Sequence, residues 1–249
     1  MSDVALVFSV SFIFLAMIIS YWQDLKLEKD LAIGAVRAFV QLTAVGYVLK
    51  FIFDLAGWQY MIPMIVVMVL VAGKNAARRG EGLPGAFILV TLSIALAELV
   101  TMTMLVNLKI IPFTPRYVIP LSGMIIGNAM VASGLALNRL RGEIAARRAE
   151  ILAALALGAT SRQAVEPALK ASVKAGMIPT VDAMKTVGLV QLPGMMTGQI
   201  IAGASPIEAV KYQILVQFML SASVGLTSML VCLLSYRKLF TPAYQLRSL

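Results

Sequence analysis

The 249-residue sequence predicts an all-α, polytopic integral membrane protein of about seven membrane-spanning helices, with one long charged helical connection on the cytoplasmic side. Three observations carry this reading. Hydrophobic residues make up 60% of the chain and charged residues 13%, with a mean hydropathy of +0.89, far more apolar than a soluble domain. Apolar windows of about 20 residues, enough helix to cross a roughly 30 Å hydrocarbon layer, recur along the whole length and leave no room for a soluble domain. The basic residues gather in alternate connections. The chain therefore reads as a single membrane domain, 1–249.

The spans fall at about 4 to 22, 32 to 53, 58 to 73, 84 to 107, 117 to 138, 187 to 204 and 208 to 235. With the first connection on the cytoplasmic side, the inner segments hold Lys26 and Lys29, then Lys74, Arg78 and Arg79, then the run from Arg139 to Lys185, then Arg237, Lys238 and Arg247. The outer side and its borders hold Lys50, Lys109, Arg116 and Lys211. The positive-inside rule then puts the N-terminus outside and the C-terminus in the cytoplasm. Asp3, and no basic residue, precedes the first span, so it reads as a retained helix rather than a secretory signal. The net charge of +9 is thus an expression of topology, and no nucleic-acid partner is expected.

Several chemistries are excluded at once. The chain has no histidine and one cysteine, Cys232, which removes the imidazole base, His-based metal ligation and any disulfide within one chain. No paired acid and base can be assembled, so an enzyme is not expected. The sequence also lacks a GxxxxGK[ST] phosphate loop: Gly73-Lys74-Asn75 has neither the upstream glycine nor the hydroxyl.

The polar residues inside the spans are the candidate path. Glu98 is the one acidic residue deep in a span, where an ionised side chain costs roughly 2.5–3.5 kcal/mol on insertion scales. Thr101, Met102 and Leu105 share its helical face. Glu98 reads either as a path residue, a proton carrier included, or as a structural pairing group. Arg37 lies near the cytoplasmic end of its span and can snorkel, and pairing with Glu98 stays open. Gln213, Gln217, Ser221, Gly225 and Ser228 form a polar stripe on the last span, suited equally to interhelical hydrogen bonds and to a pore lining. Met61, Met64 and Met68 read as packing. Gly123 with Gly127, and Gly194 with Gly198, have the spacing of close helix contacts. Asn128 is expensive against lipid and should face another helix or the path. In "QLPGMMTGQIIAGASP", 191 to 206, Gln191, Met195 and Gln199 line one face if the sixth span is continuous, but Pro193 and Gly194 predict a break there. Ser205 and Pro206 then start the last helix.

The connection from 139 to 186 begins as a charged helix in which Leu140, Ile144, Ile151 and Leu155 share one face, and Glu143 stands four residues before Arg147. Gly158 supplies a stop, and Thr160 or Ser161 caps a second, short helix that Gly176 and Pro179 close. Thr180 and Asp182 then start the helix leading into the sixth span. Such a helix pair suits either an anionic lipid surface or a soluble partner.

The blocks "GMIIGNAMVASGLALNRL" (123 to 140), "AALALGATSRQA" (153 to 164) and "LPGMMTGQIIAGASPIEAVKYQI" (192 to 214) resemble the membrane subunit of the bacterial Fet-type ABC transporters, an iron-export family with plant relatives linked to aluminium tolerance. They cover about the second half of the chain, and the number and spacing of the earlier spans fit. The resemblance implies a permease of the bacterial cytoplasmic (inner) membrane, two copies of which pair with two copies of a separate ATPase subunit. That partner would handle ATP, with no cofactor bound by this chain, and a metal ion, iron in the family, would be the cargo. The substrate path would draw on Glu98, Thr101, Met102, Asn128, Gln191, Met195, Gln199, Gln213 and Gln217, with the metal-holding residues unassigned. Coupling to the ATPase would rest on Arg147, Arg148, Ala153, Ala154, Gly158, Thr160 and Arg162. The segment before Gly158 is also similar to the Glu-Ala-Ala...Gly coupling loop of ABC importers. Ala153 and Ala154 match it, but Leu152 stands where that loop has glutamate.

Overall fold

A computed structural model describes residues 3–55, 57–80, 83–241 and 245–247, leaving the side chains of residues 3–7 outside the description. Among them are nine α-helices and no strand: α1 (Asp3–Trp22), α2 (Glu28–Leu55), α3 (Trp58–Ala77), α4 (Ala86–Asn107), α5 (Pro115–Ala146), α6 (Arg148–Ala156), α7 (Ser161–Thr186), α8 (Gly194–Ile201) and α9 (Pro206–Ser235). Short 3-10 turns follow α3 and α9. The contacts divide the chain into two compact units, residues 1–57 and 58–249.

The first unit is the α1–α2 pair. Its connection is held by Ser20, whose hydroxyl donates to Glu28 Oε1 over 2.7 Å and accepts the Leu27 amide over 3.1 Å. Glu28 and Asp30 lie in the first turn of α2, where the helix dipole favours negative charge.

In the second unit, the 32-residue α5 is the central element, packed against α3, α4, α7 and α9. At 1.5 Å per residue it is about 48 Å long, so it outreaches a roughly 30 Å hydrocarbon layer and carries its charged end, from Arg139 onward, clear of the lipid. One core runs through the unit, from Val90 and Ile94 on α4, through Ala129, Leu137 and Ile144 on α5, to Ile151 on α6, Val165 and Ala168 on α7, and Val231 on α9. Leu239, Phe240 and Leu246 close it at the C-terminal end. The apolar face of the charged connection is therefore covered by the chain's own helices and tail.

Five helices among the described residues are long and apolar enough to cross a membrane: Glu28–Leu55, Trp58–Gly80, Ala86–Asn107, Pro115–Ala146 and Pro206–Leu239, with Phe8–Trp22 as a shorter apolar helix. The expected sixth span, 187 to 204, is not one helix. Residues 187–193 are non-helical, with Gly188 at φ 82°. Pro193, which has no amide hydrogen to give, precedes an α8 of eight residues, about 12 Å long and unable to span alone.

The second correction concerns α7. The sequence predicts a short helix closed by Gly176 and Pro179 and a new start at Thr180, but α7 runs unbroken for 26 residues to Thr186, with Pro167 and Pro179 inside it. Thr160 begins it with a reciprocal cap: its Oγ1 accepts the Gln163 amide over 3.3 Å, and its own amide donates to Gln163 Oε1 over 2.9 Å. Gly176 is a contact point rather than a stop. A Cβ there would lie 2.5 Å from Ser228 Oγ and 3.0 Å from the Ala132 carbonyl oxygen, so its lack of a side chain lets α7 lie directly on α5 and α9. The other glycine pairs behave differently from expectation. A Cβ at Gly123 would meet Met68 at 3.3 Å, whereas a Cβ at Gly127, Gly194 or Gly198 would point into open space among the described residues.

Candidate functional site

Glu98 sits on α4 and is 5% exposed. The Ser122 hydroxyl of α5 donates to its Oε1 over 2.6 Å, while Oε2 is buried without a hydrogen-bond partner among the described residues. Thr101 and Met102 are buried on the same helix face, as the spacing predicts. Glu98 lines none of the cavities described below.

Four of the remaining path candidates, Met195, Gln199, Gln213 and Gln217, line two cavities around α8. The first, about 310 Å³, is lined by Met195 and Gln199 of α8, Arg116, Tyr117 and Met124 of α5, and Tyr212 of α9. The second, about 410 Å³, is lined by Met184 of α7, Met196 of α8, and Gln213 and Gln217 of α9. Gln199 Oε1 and Gln213 Oε1 are buried without partners among the described residues, an unusual expense for amide oxygens. Gln191 joins neither. It is exposed, lies in the non-helical segment, and uses its carbonyl to accept the Gly188 amide over 3.0 Å. The predicted face of Gln191, Met195 and Gln199 is therefore cut to its last two members, because Pro193 starts a new helix. Asn128 is exposed, and its side-chain amide donates to Met124 O of its own helix over 2.9 Å.

Sequence reasoning missed Ser122, Met124, Tyr117 and Tyr212. Each meets its partners across helices rather than along one, so spacing carries no signal for them. No group of three or more His, Cys, Asp or Glu side chains among the described residues is placed to hold a metal ion. The donors around α8 are thioether, amide and phenol, and Glu98 stands apart from them. Thioethers suit soft cations, and a carboxylate suits harder ones.

The coupling candidates lie at the charged end of α5 and the turn beyond it. Arg147 joins α5 to α6 and pairs with Glu143 over 2.7 Å and with Glu150 over 3.6 Å. Arg139 also pairs with Glu143. The Arg147 hydrogen bond, helped by the charges of both arginines, holds the Glu143 carboxyl below the usual carboxylate range, with burial opposing it. Arg148 donates to the Arg247 carbonyl over 3.0 Å, fastening the tail to α6. Ala153 is exposed and Ala154 half-buried. At the tip, Leu157 is 89% exposed and Gly158 takes φ 90°, a left-handed conformation that favours glycine. Thr160 and the exposed Arg162 then open α7.

A family model described as "Uncharacterised protein family (UPF0014)" matches residues 3–240. The chain belongs to this family. It is 44% identical over 247 residues to the UPF0014 membrane protein YjkA of Bacillus subtilis, covering 99% of each chain. It is 41% identical over 242 residues to the "Probable iron export permease protein FetB" of Escherichia coli, covering 97% of this chain and 93% of the relative. It is also 41% identical over 236 residues to the "Protein ALUMINUM SENSITIVE 3" of Arabidopsis thaliana, covering 95% and 86%. No solved structure is significantly similar to it. The chain is therefore a multi-pass membrane protein of a family with a permease-named member, which agrees with the resemblance carried by its sequence blocks.

Proposed function

We propose that this chain is the membrane-spanning permease subunit of an ABC transporter that exports iron or another metal ion, with ATP hydrolysed by a separate subunit and two copies of each in the complex. The observation that carries the reading is the α6–turn–α7 hairpin. It sets a nearly bare Leu157 and the left-handed Gly158 at the tip of a charged, well-packed support, the form of a knob that seats in a groove of a soluble partner. The likeness to a relative named an iron export permease supports the cargo. The basic residues of the hairpin support a bacterial inner-membrane topology with the C-terminus in the cytoplasm.

Co-expression with an ATPase encoded beside it should give a stable complex whose ATP hydrolysis is stimulated by the exported metal, and proteoliposomes holding both subunits should move that metal. A chain that captures no ATPase and moves no metal with one present would sink the reading. Glu98, with one carboxyl oxygen buried and unpartnered among the described residues, favours a second reading, a proton- or ion-coupled carrier. Gradient-driven uptake by this chain alone, lost in Glu98→Gln, would establish it instead.

A further inference from the structure

Two contacts fix where the far end of α7 lies. Gly176 rests on Ala132 and Ser228, and the Ser221 hydroxyl meets Met184 Sδ at 2.8 Å. Ser221 stands at the middle of the 30-residue α9, whose apolar run is long enough to cross the membrane. Asp182 and Lys185 flank Met184, each displaced from it by no more than about 3 Å along the helix. They are paired at 3.5 Å, yet their side chains remain 63% and 69% exposed. An ion pair thus stands open level with the middle of a helix long and apolar enough to cross a membrane.

Charged side chains at that depth face a protein interior or water, not hydrocarbon. The surface around the pair is concave: a groove of about 880 Å³ follows the α7–α9 seam from Thr160 to Lys185, with Met177, Ile178 and Val181 among its walls. The amide- and thioether-lined cavity containing Gln213 and Gln217 lies on the same seam, from Met184 outward. Polar groups therefore follow one another along α7 and α9 from the charged hairpin past the middle of α9.

We infer that the face of α7 carrying Asp182 and Lys185, with the α9 residues across the seam, forms the wall of a water-filled conduit for a hydrophilic, hydrated cargo. What passes through it rests on the permease reading above; the wetting of the wall does not. Asp182 and Lys185 hold the conduit open to water at a depth where apolar side chains would let lipid or a dry interface close it.

Cysteine accessibility tests this in membranes carrying the full chain with its ATPase, in a Cys232→Ser background. A charged, membrane-impermeant maleimide should label Asp182→Cys and Lys185→Cys at least about tenfold faster than Val67→Cys and Leu99→Cys, exposed positions on α3 and α4. Ile178→Cys and Val181→Cys line the same groove and remove no charge, so they report even if the first pair fails to accumulate. Labelling of all seam positions no faster than the α3 and α4 positions would overturn the inference. Fast labelling without ATPase capture would leave the conduit standing and count against the transporter assignment alone.

Discussion

Ser122 donates its hydroxyl to Glu98 over 2.6 Å between two packed helices, and leaves the other carboxyl oxygen buried without a partner among the described residues. Removing the donor with Ser122→Ala exposes the carboxyl to the full cost of an unmade bond, about 1–3 kcal/mol. Thermal unfolding of the detergent-solubilised protein should fall by several degrees. Glu98→Gln keeps an acceptor for Ser122 and removes the charge. If Glu98 serves transport, flux should fall at least about tenfold while the melting temperature holds; unchanged flux would assign Glu98 to packing.

Gln199 offers the opposite case. Its Oε1 is buried without a partner among the described residues, so Gln199→Leu relieves an unsatisfied group and should leave the melting temperature equal or higher. A loss of flux at unchanged stability would show that the cavity shared with Met195 handles cargo. A melting temperature lowered by several degrees would show that the amide is structural.

At the hairpin tip, Leu157 is almost wholly exposed, so Leu157→Asp should change stability by less than about 0.5 kcal/mol. The same change should abolish co-purification with the ATPase. Gly158→Val forces a branched residue into a left-handed conformation, at a cost of about 1–3 kcal/mol, and should uncouple ATP hydrolysis from flux. A Leu157→Asp chain that still captures the ATPase would move the docking site elsewhere.

Gly176→Ala should destabilise by about 1–3 kcal/mol through overpacking. Adding Ser228→Gly should restore only part of the loss, since the added methyl still meets the Ala132 carbonyl oxygen at 3.0 Å, and backbone cannot swing aside. Full recovery in the double variant would mean that Ser228 alone sets the helix spacing.

Glu143 gives the hairpin a pH dependence. Its carboxyl is held below the usual range, first by the Arg147 hydrogen bond. The stabilisation is therefore fully present above the ordinary glutamate value of about 4.3 and is lost as pH falls through the lowered folded value. The difference in melting temperature between the parent and Glu143→Gln should be constant from neutral pH down to that region, then shrink. A difference that grew with acid would contradict the pairing.

The helices of the second unit were legible where apolar runs were long, as for α4 and α9, since length and hydropathy alone decide them. The break before α8 was legible in Pro193, a residue with no amide hydrogen. The course of α7 was not. Its run of lysines, Pro179 and Asp182 looks like a cytoplasmic connection, and only packing against α5 and α9, with Gly176 at the contact, holds that polar helix beside the middle of α9. The site was legible along single helices, as for Glu98, Thr101 and Met102. It was illegible across them: neither the Ser122 bond nor the company of Tyr117, Met124 and Tyr212 leaves a periodic trace.

The unbroken α7 has a mechanical meaning. Its 26 residues span about 39 Å, starting at the capped turn after Gly158 and ending beside Ser221. A push on the hairpin thus arrives at Asp182 and Lys185 along a single lever, braced along its length by α5 and α9. Residues 187–193, the non-helical segment between α7 and α8, are where that stroke can change direction before it reaches α8.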